Sequence, residues 1–68
     1  MKEVSGKKLA KAVGGKGWIL ARIKGSHHIY VKEGRPERLV IPIHGNRPLK
    51  AGLLKSLMKI ADLSEDDI

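Results

Sequence analysis

Three histidines stand at the ends of predicted strands, and they are the side chains of this sequence best suited to proton transfer. His27 and His28 directly follow the dipeptide Gly25-Ser26, and His44 directly follows the third predicted strand. The unperturbed pKa of histidine allows imidazole to take up and release protons near neutral pH. The chain has no cysteine, and its seven Asp and Glu residues form no tight motif. These observations disfavour a thiol nucleophile and a paired-carboxylate hydrolase.

A metal site is an alternative use of the same histidines. Such a site needs three or four ligands that converge on one ion. Adjacent residues of a strand point to opposite faces of the sheet, so His27 and His28 are poorly placed to share an ion. We therefore expect these residues to work without a metal ion or another cofactor.

Alternation along the second strand assigns each histidine to a face of the sheet. His27 shares a face with Ile29 and Val31, which predicts a position at the margin of the core. An ordinary hydrogen-bonded core histidine would occupy the same position, so the pattern alone does not separate that interpretation from a catalytic one. His28 and Tyr30 share the opposite face. The sequence predicts a solvated His28 and a Tyr30 that covers the sheet.

The elements that position these residues follow the order α-β-β-β-α. Ser5 is the predicted N-cap of a helix over about residues 6–13, which Gly14 and Gly15 end, and an amphipathic helix covers about residues 49–62. The predicted strands between them are residues 17–24, 27–32 and 38–43. The order indicates an α+β fold in which both helices cover one face of a three-stranded antiparallel sheet. Because Pro42 cannot donate to a ladder, the third strand is expected at an edge.

Hydrophobic periodicity also predicts which side chains enter the core. On the first strand, Ile19, Ala21 and Ile23 share the apolar face of the sheet. The opposite, wet or partner-bound face is predicted to carry Arg22, Lys24, Tyr30 and Lys32. The last helix is predicted to bury a stripe of Leu53, Leu57, Ile60 and Ala61, with Leu54 and Met58 beside it. Ser64 and Asp67 have the spacing of a capping box for a final turn.

Positive charge is concentrated in the first part of the chain. The 68 residues carry a net charge of +7; residues 1–50 hold twelve Lys and Arg against three Glu, a balance of +9, and residues 51–68 hold two Lys against four acids, a balance of −2. This distribution favours a polyanionic partner such as nucleic acid over a merely solubilising surface. No apolar stretch has the length of a membrane span or a signal peptide, so a cytoplasmic location and no membrane partner are expected.

Residues 25–30, GSHHIY, with Lys24 before them, resemble the signature of the HicA family of toxin–antitoxin systems. The similarity extends to Gly17-Trp18 at the first strand and to residues 41–45, IPIHG, which resemble a Val-Pro-x-His segment of the family. It continues along the last helix, through Leu49, Gly52, Leu53, Ile60 and residues 61–64. The family usually has glycine where this chain has Asp62. This difference puts the C-cap geometry of the last helix in doubt, but it does not affect the expected chemistry.

The length of 68 residues predicts a single domain over residues 1–68. The resemblance implies a fold like that of double-stranded-RNA-binding domains. It implies an mRNA interferase, so the expected partners are mRNA and a HicB-type antitoxin that neutralises the toxin. It also implies that His27, at the GSH position, is the catalytic histidine.

RNA carries its own nucleophile, the 2′-hydroxyl group, and a protein can cleave it by moving two protons and stabilising the charged phosphorus centre. One histidine cannot fill both proton-transfer roles in one step. A second group or water must fill the other role, and His28 and His44 are the candidate groups. Lys24 and Ser26 could hold phosphate oxygens, and Tyr30 is a further auxiliary candidate. The residues expected to follow the RNA backbone are Lys7, Lys8, Lys11, Lys16, Arg22 and Lys24.

Two other functions fit parts of this sequence. A non-catalytic RNA-binding module would share the fold and the positive charge, because shape recognition needs only backbone and 2′-hydroxyl contacts. A small protein-interaction subunit could instead use its basic face for an acidic partner. The histidine at the Gly25-Ser26 turn favours the enzyme, since a module that only binds needs no imidazole there.

Overall fold

Two helices and a three-stranded antiparallel sheet make up residues 3–68, the part of the chain that the computed structural model describes. The elements are α1 (Gly6–Gly15), β1 (Ile19–Lys24), β2 (His27–Lys32), β3 (Arg35–Pro42), α2 (Ala51–Ala61) and a final 3-10 turn (Glu65–Asp67). The predicted α+β order is therefore confirmed. Over these residues, neither helix combines the length and the apolar character that crossing a membrane would require.

Helix α1 begins at the predicted cap and runs two residues further than expected. The Ser5 side chain accepts a hydrogen bond from the Lys8 backbone N–H at 3.1 Å, as an N-cap does. Gly14 and Gly15 remain helical, and the chain turns out of the helix only at Gly17, whose φ is 94°. The prediction failed here because glycine permits a left-handed C-terminus without requiring one.

The sheet has the order β1-β2-β3, so β3 is an edge strand as Pro42 predicted. Gly25-Ser26 forms the predicted two-residue hairpin turn, with a φ of 60° at Gly25. The second hairpin turn is only Glu33-Gly34, because Gly34 adopts a φ of 82° and Lys32 pairs directly with Arg35. Strand β3 consequently starts three residues earlier than predicted, at Arg35 rather than residue 38.

The helices cover the face of the sheet opposite to the one predicted. Leu39 and Ile41 of β3 are completely buried under α1 and α2, and their neighbours across β2 are Tyr30 and His28. The residues on His27's side of β2 therefore lie on the face that no helix covers, which we call the open face. The prediction was wrong because both faces of β2 carry apolar residues, so alternation alone could not identify the inner one.

A β-bulge in β1 overturns the face prediction for that strand as well. The register shifts between Leu20 and Arg22, which leaves Ala21 without a direct partner. Leu20 and Ile23 consequently lie on the helix side, whereas Ile19 and Arg22 belong to the open face. Since both helices pack over β3, β1 stays exposed on both faces, and Ile19 and Ile23 keep 66% and 54% of their surface accessible.

Helix α2 buries a stripe that is rotated from the predicted one. The helix starts two residues later than predicted and ends one residue earlier. Its buried side chains are Leu54, Leu57, Met58 and Ala61. Leu53, predicted to be central, is 39% exposed. The helix ends at Asp62, which has a φ of 58° and lies in the left-handed region. Asp62 thus adopts the helix-ending conformation that glycine usually provides at this position in the family.

Arg35 joins the second hairpin to the end of α2. Its guanidinium donates to the backbone oxygen of Ile60 at 2.7 Å and to the carboxylates of Glu37 and Asp62, each at 3.2 Å. The hydrogen bonds to Glu37 and Asp62 raise the pKa of Arg35 further above its usual value. The pKa of Glu37 is lowered by its own backbone N–H and by Arg35. The same guanidinium lies 5.9 Å from the centre of the Trp18 ring.

The C-terminal turn is fastened to α1. Ser64 and Asp67 form the predicted capping box, and the Ser64 backbone N–H donates to the Asp67 carboxylate at 2.8 Å. That bond is the main reason why the pKa of Asp67 is lowered. Asp67 also forms an ion pair with Lys16 at 3.3 Å. This exposed ion pair links the C-terminal segment to the far end of α1 and adds little to the stability of the fold.

Candidate active site

The Gly25-Ser26 turn and the segment after β3 lie side by side at one end of the sheet. The Ile43 backbone N–H donates to the Ser26 carbonyl oxygen at 2.8 Å, which continues the β2–β3 pairing beyond Pro42. The next residue, His44, has its Nε2 atom 3.5 Å from the Ser26 hydroxyl oxygen. The two segments that carry the family-like motifs are thus in direct contact. We call Lys24, Ser26, His27 and His44 the turn site.

His27 is exposed on the open face, so its predicted position at the core margin is wrong. It is the first residue of β2 and pairs with Lys24 of β1 and Pro42 of β3. Directly paired residues of antiparallel strands project to the same face, which places the Lys24 side chain beside His27. Among residues 3–68, the His27 ring forms no hydrogen bond with another protein group. An imidazole without a structural partner is free to contact a substrate.

His28 and Tyr30 lie on the other side of the sheet. His28 pairs with Ile23 and Ile41 on the helix side and is half-buried, so its predicted solvated position is wrong. Tyr30 covers the sheet as expected, but it is half-buried against the hydrophobic core on the helix side, so its predicted place on the wet face is wrong. Both side chains point away from His27. Their placement favours structural roles over the auxiliary chemistry considered from the sequence.

The lysines of α1 do not form one continuous set. Lys7, Lys8 and Lys11 are exposed, as predicted. The first turn of the helix lies against the end of β3, because Gly6 packs on the Pro42 carbonyl oxygen. Lys7 therefore belongs to the end of the molecule that carries the turn site. Lys16 lies at the opposite end of α1 and is engaged with Asp67, which favours a structural role for it.

The open face adds further positive charge next to the turn site. Arg22 pairs with Ile29 across β2 and is exposed. Arg38, which alternates with the buried Leu39, also belongs to this face and is exposed. Arg35, in contrast, is held by its partners at the far end of the second hairpin. The candidate path for a polyanion thus runs from the turn site over Arg22 and Arg38 or along the start of α1.

The turn site brings together two imidazoles, a hydroxyl group and an ammonium group on an accessible surface. Imidazoles can exchange protons with a substrate, and an ammonium or hydroxyl group can donate hydrogen bonds to phosphate oxygens. The contact between Ser26 and His44 was missed from the sequence, although IPIHG marked His44 as a residue of interest. Within the described residues, no cluster of three or more His, Asp or Glu side chains has the arrangement of a metal site.

A comparison with protein families gives one match that spans most of the chain. The family described as "HicA toxin of bacterial toxin-antitoxin" matches residues 6–63. The matched region contains both helices, all three strands and every residue of the turn site. No curated protein shows significant similarity to the chain.

Proposed function

Because the chain belongs to the HicA toxin family of bacterial toxin–antitoxin systems, we propose that this toxin acts as an endoribonuclease that cleaves mRNA at the turn site. The observation that carries the proposal is the exposed position of His27 beside Lys24 and the Ser26 turn. A histidine at the margin of the core that served only the fold would be expected to hydrogen-bond a protein group. His27 instead faces solvent next to Lys24 on the open face, which also carries the exposed Arg22.

The proposed reaction uses the 2′-hydroxyl of RNA as the nucleophile. The 2′-oxygen attacks the adjacent phosphorus atom while the bond between phosphorus and the 5′-oxygen breaks. His27 accepts the proton of the 2′-hydroxyl, and an acid supplies a proton to the leaving 5′-oxygen. In this mechanism, Lys24 and the hydroxyl of Ser26 stabilise the negative charge that develops on the non-bridging oxygens. The products are a 2′,3′-cyclic phosphate and a free 5′-hydroxyl.

The test of this proposal is the chemistry of the cleaved ends. We expect purified protein to cleave RNA in the presence of excess chelator, since the substrate supplies the nucleophile and histidine moves the proton. The ends should be 2′,3′-cyclic phosphate, or the 3′-phosphate formed from it, and 5′-hydroxyl. Products with 5′-phosphate ends, or cleavage that requires a divalent ion, would contradict the mechanism. Binding without cleavage would instead identify a non-catalytic RNA-binding module.

The lysines at the start of α1 are expected to bind the RNA backbone. Replacing Lys7 and Lys11 with glutamate should weaken binding to all RNA sequences, and the magnitude of the slope of log K against log salt should fall by about 1.4–1.8 for two lost phosphate contacts. The matched control replaces Lys55 and Lys59 of α2, which changes the net charge equally. Binding should be measured with the His27→Ala protein, which holds RNA without cutting it. If the salt dependence of binding is equal for the two double variants, α1 does not bind the RNA backbone, and the open-face residues Arg22 and Arg38 become the expected RNA contacts.

An antitoxin of the HicB type is the expected protein partner, and we propose that it covers the turn site. A basic surface attracts an acidic inhibitor by electrostatic steering, and covering His27 would block proton transfer and phosphate binding together. RNA and antitoxin should therefore compete for the His27→Ala protein in a binding titration. The partner should also raise the melting temperature of the toxin by mass action. A stable ternary complex of toxin, antitoxin and RNA would rule out direct occlusion.

A further inference from the structure

We propose that His44 is the second proton-transfer group of the turn site and that it protonates the leaving 5′-oxygen. The inference rests on the proposed ribonuclease function and adds a residue to it. The reaction needs an acid as well as a base, because the 2′-hydroxyl loses a proton while the 5′-oxygen must gain one. His27 cannot accept and deliver a proton in the same step. A second group must therefore lie within reach of the same phosphate.

Within the turn site, the proposed mechanism already uses Lys24 to hold the phosphate. Other acid–base side chains lie away from the turn site or are engaged elsewhere. His28 and Tyr30 are half-buried on the helix side of the sheet. Glu37 binds Arg35 near the other end of β3, and Asp67 binds Ser64 and Lys16. His44 differs from all of them, because its ring is exposed and contacts the turn that leads into His27.

The backbone on both sides of His44 is held in place. On one side, Pro42 pairs with His27, and the Ile43 N–H donates to the Ser26 carbonyl oxygen at 2.8 Å. On the other side, the Arg47 N–H donates to the His44 carbonyl oxygen at 3.1 Å, which closes a turn. A proton donor must be positioned relative to its acceptor before the reaction starts. These bonds position His44 while they leave its ring accessible.

The Nε2 atom of His44 lies 3.5 Å from the Ser26 hydroxyl oxygen, at the long end of the range for a hydrogen bond. We infer that His44 acts as an imidazolium, with a proton on both ring nitrogens, and that its Nε2–H donates to the Ser26 hydroxyl oxygen. A phosphate bound at Lys24 and Ser26 would meet that N–H. During cleavage, the bond between phosphorus and the 2′-oxygen forms, and the bond to the 5′-oxygen breaks. The 2′-proton passes to neutral His27, the His44 imidazolium gives its Nε2 proton to the 5′-oxygen and becomes neutral, and proton exchange with water restores both rings.

The experiment separates the acid from the base by changing the leaving group. A sulfur atom replaces the 5′-oxygen at the position in an RNA oligonucleotide that the wild-type protein cuts. A thiolate leaves without a proton, so the sulfur substrate no longer needs an acid. We expect His44→Ala to cleave ordinary RNA about 10²–10⁴-fold more slowly than the wild type. On the sulfur substrate, the cleavage rate of His44→Ala should be within about tenfold of the wild-type rate. The remaining difference would reflect altered positioning of the substrate. His27→Ala should remain slow on both substrates.

Two further variants keep the result interpretable. Asn46→Ala changes an exposed neighbour in the same loop and should cleave both substrates normally. If His44→Ala does not fold, His44→Gln retains a hydrogen-bond donor for Ser26 but cannot transfer a proton, and the same selective loss on ordinary RNA is expected. Rescue of His27→Ala by sulfur, or a slow His44→Ala on both substrates, would overturn the assigned roles.

The two proposals fail in different ways. If the wild-type protein does not cleave RNA, the proposed function fails and the role of His44 fails with it. If the wild type cleaves and His27→Ala does not, but His44→Ala cleaves ordinary RNA at the wild-type rate, only the inference about His44 is overturned.

Discussion

The His27→Ala variant should cleave RNA about 10²–10⁴-fold more slowly than the wild type and should no longer be toxic when expressed. This is the range that a general acid–base group contributes. The side chain is exposed, so its removal leaves no cavity and should hardly change the free energy of unfolding. Initial rates of cleavage and thermal unfolding of the same preparation measure the two effects separately.

His28 provides a matched control for this experiment. It is the adjacent histidine, but it lies on the other face of the sheet. His28→Gln should therefore cleave RNA within a few-fold of the wild type, although its half-buried position can lower the melting temperature. A folded His27→Ala protein that cleaves at the wild-type rate would end the assignment of His27. Loss of folding in that variant would instead support a structural histidine.

Features that depend on neighbours along the chain were predictable from the sequence. The Ser5 cap, the Gly25-Ser26 turn and the capping box at Ser64 each involve residues no more than a few positions apart. Each also uses a residue type whose side chain or backbone favours that local geometry. The order of the elements follows from these signals together with the hydrophobic periods, and the structure confirms it.

The orientation of the sheet was not predictable in the same way. Which face of β2 points inward depends on its register with β3, where Leu39 and Ile41 are the buried residues. The bulge at Ala21 then moves Ile19 to the side opposite to that of Ile23. Alternation within one strand has no information about either feature. The position of His27 was mispredicted for this reason, although the motif around it was found.

The turn site was also only partly predictable. The motif GSHHIY indicated His27, Ser26 and Lys24 as neighbours, because they are adjacent in the chain. The approach of His44 to Ser26 depends on how far the β2–β3 pairing continues beyond Pro42. The ion pair between Lys16 and Asp67 similarly joins distant parts of the chain. Such long-range contacts decide which charged residues are available for RNA.

Gly6→Ala should be the most destabilising single substitution considered for this protein, at about 3 kcal/mol, the upper part of the range for overpacking. Gly6 is the first residue of α1, and a methyl group there would overlap the Pro42 carbonyl oxygen. That oxygen belongs to the backbone of β3 and cannot rotate away. Helix α1 must then shift, which disturbs the packing of the fully buried Leu9 and Val13.

Gly14→Ala in the same helix separates this steric effect from helix propensity. An added methyl group at Gly14 meets no atom within 4 Å, and neither glycine has a positive φ. Alanine at Gly14 should therefore stabilise the protein by up to about 1 kcal/mol, the difference in helix propensity. For Gly6→Ala we expect the melting temperature to fall by roughly 15 °C in a domain of this size. Because Pro42 lies two residues before His44, the shifted helix should also slow RNA cleavage below the melting temperature. Equal stability of the two variants would contradict the close packing of α1 against the end of β3, and with it the support that α1 gives to the turn site.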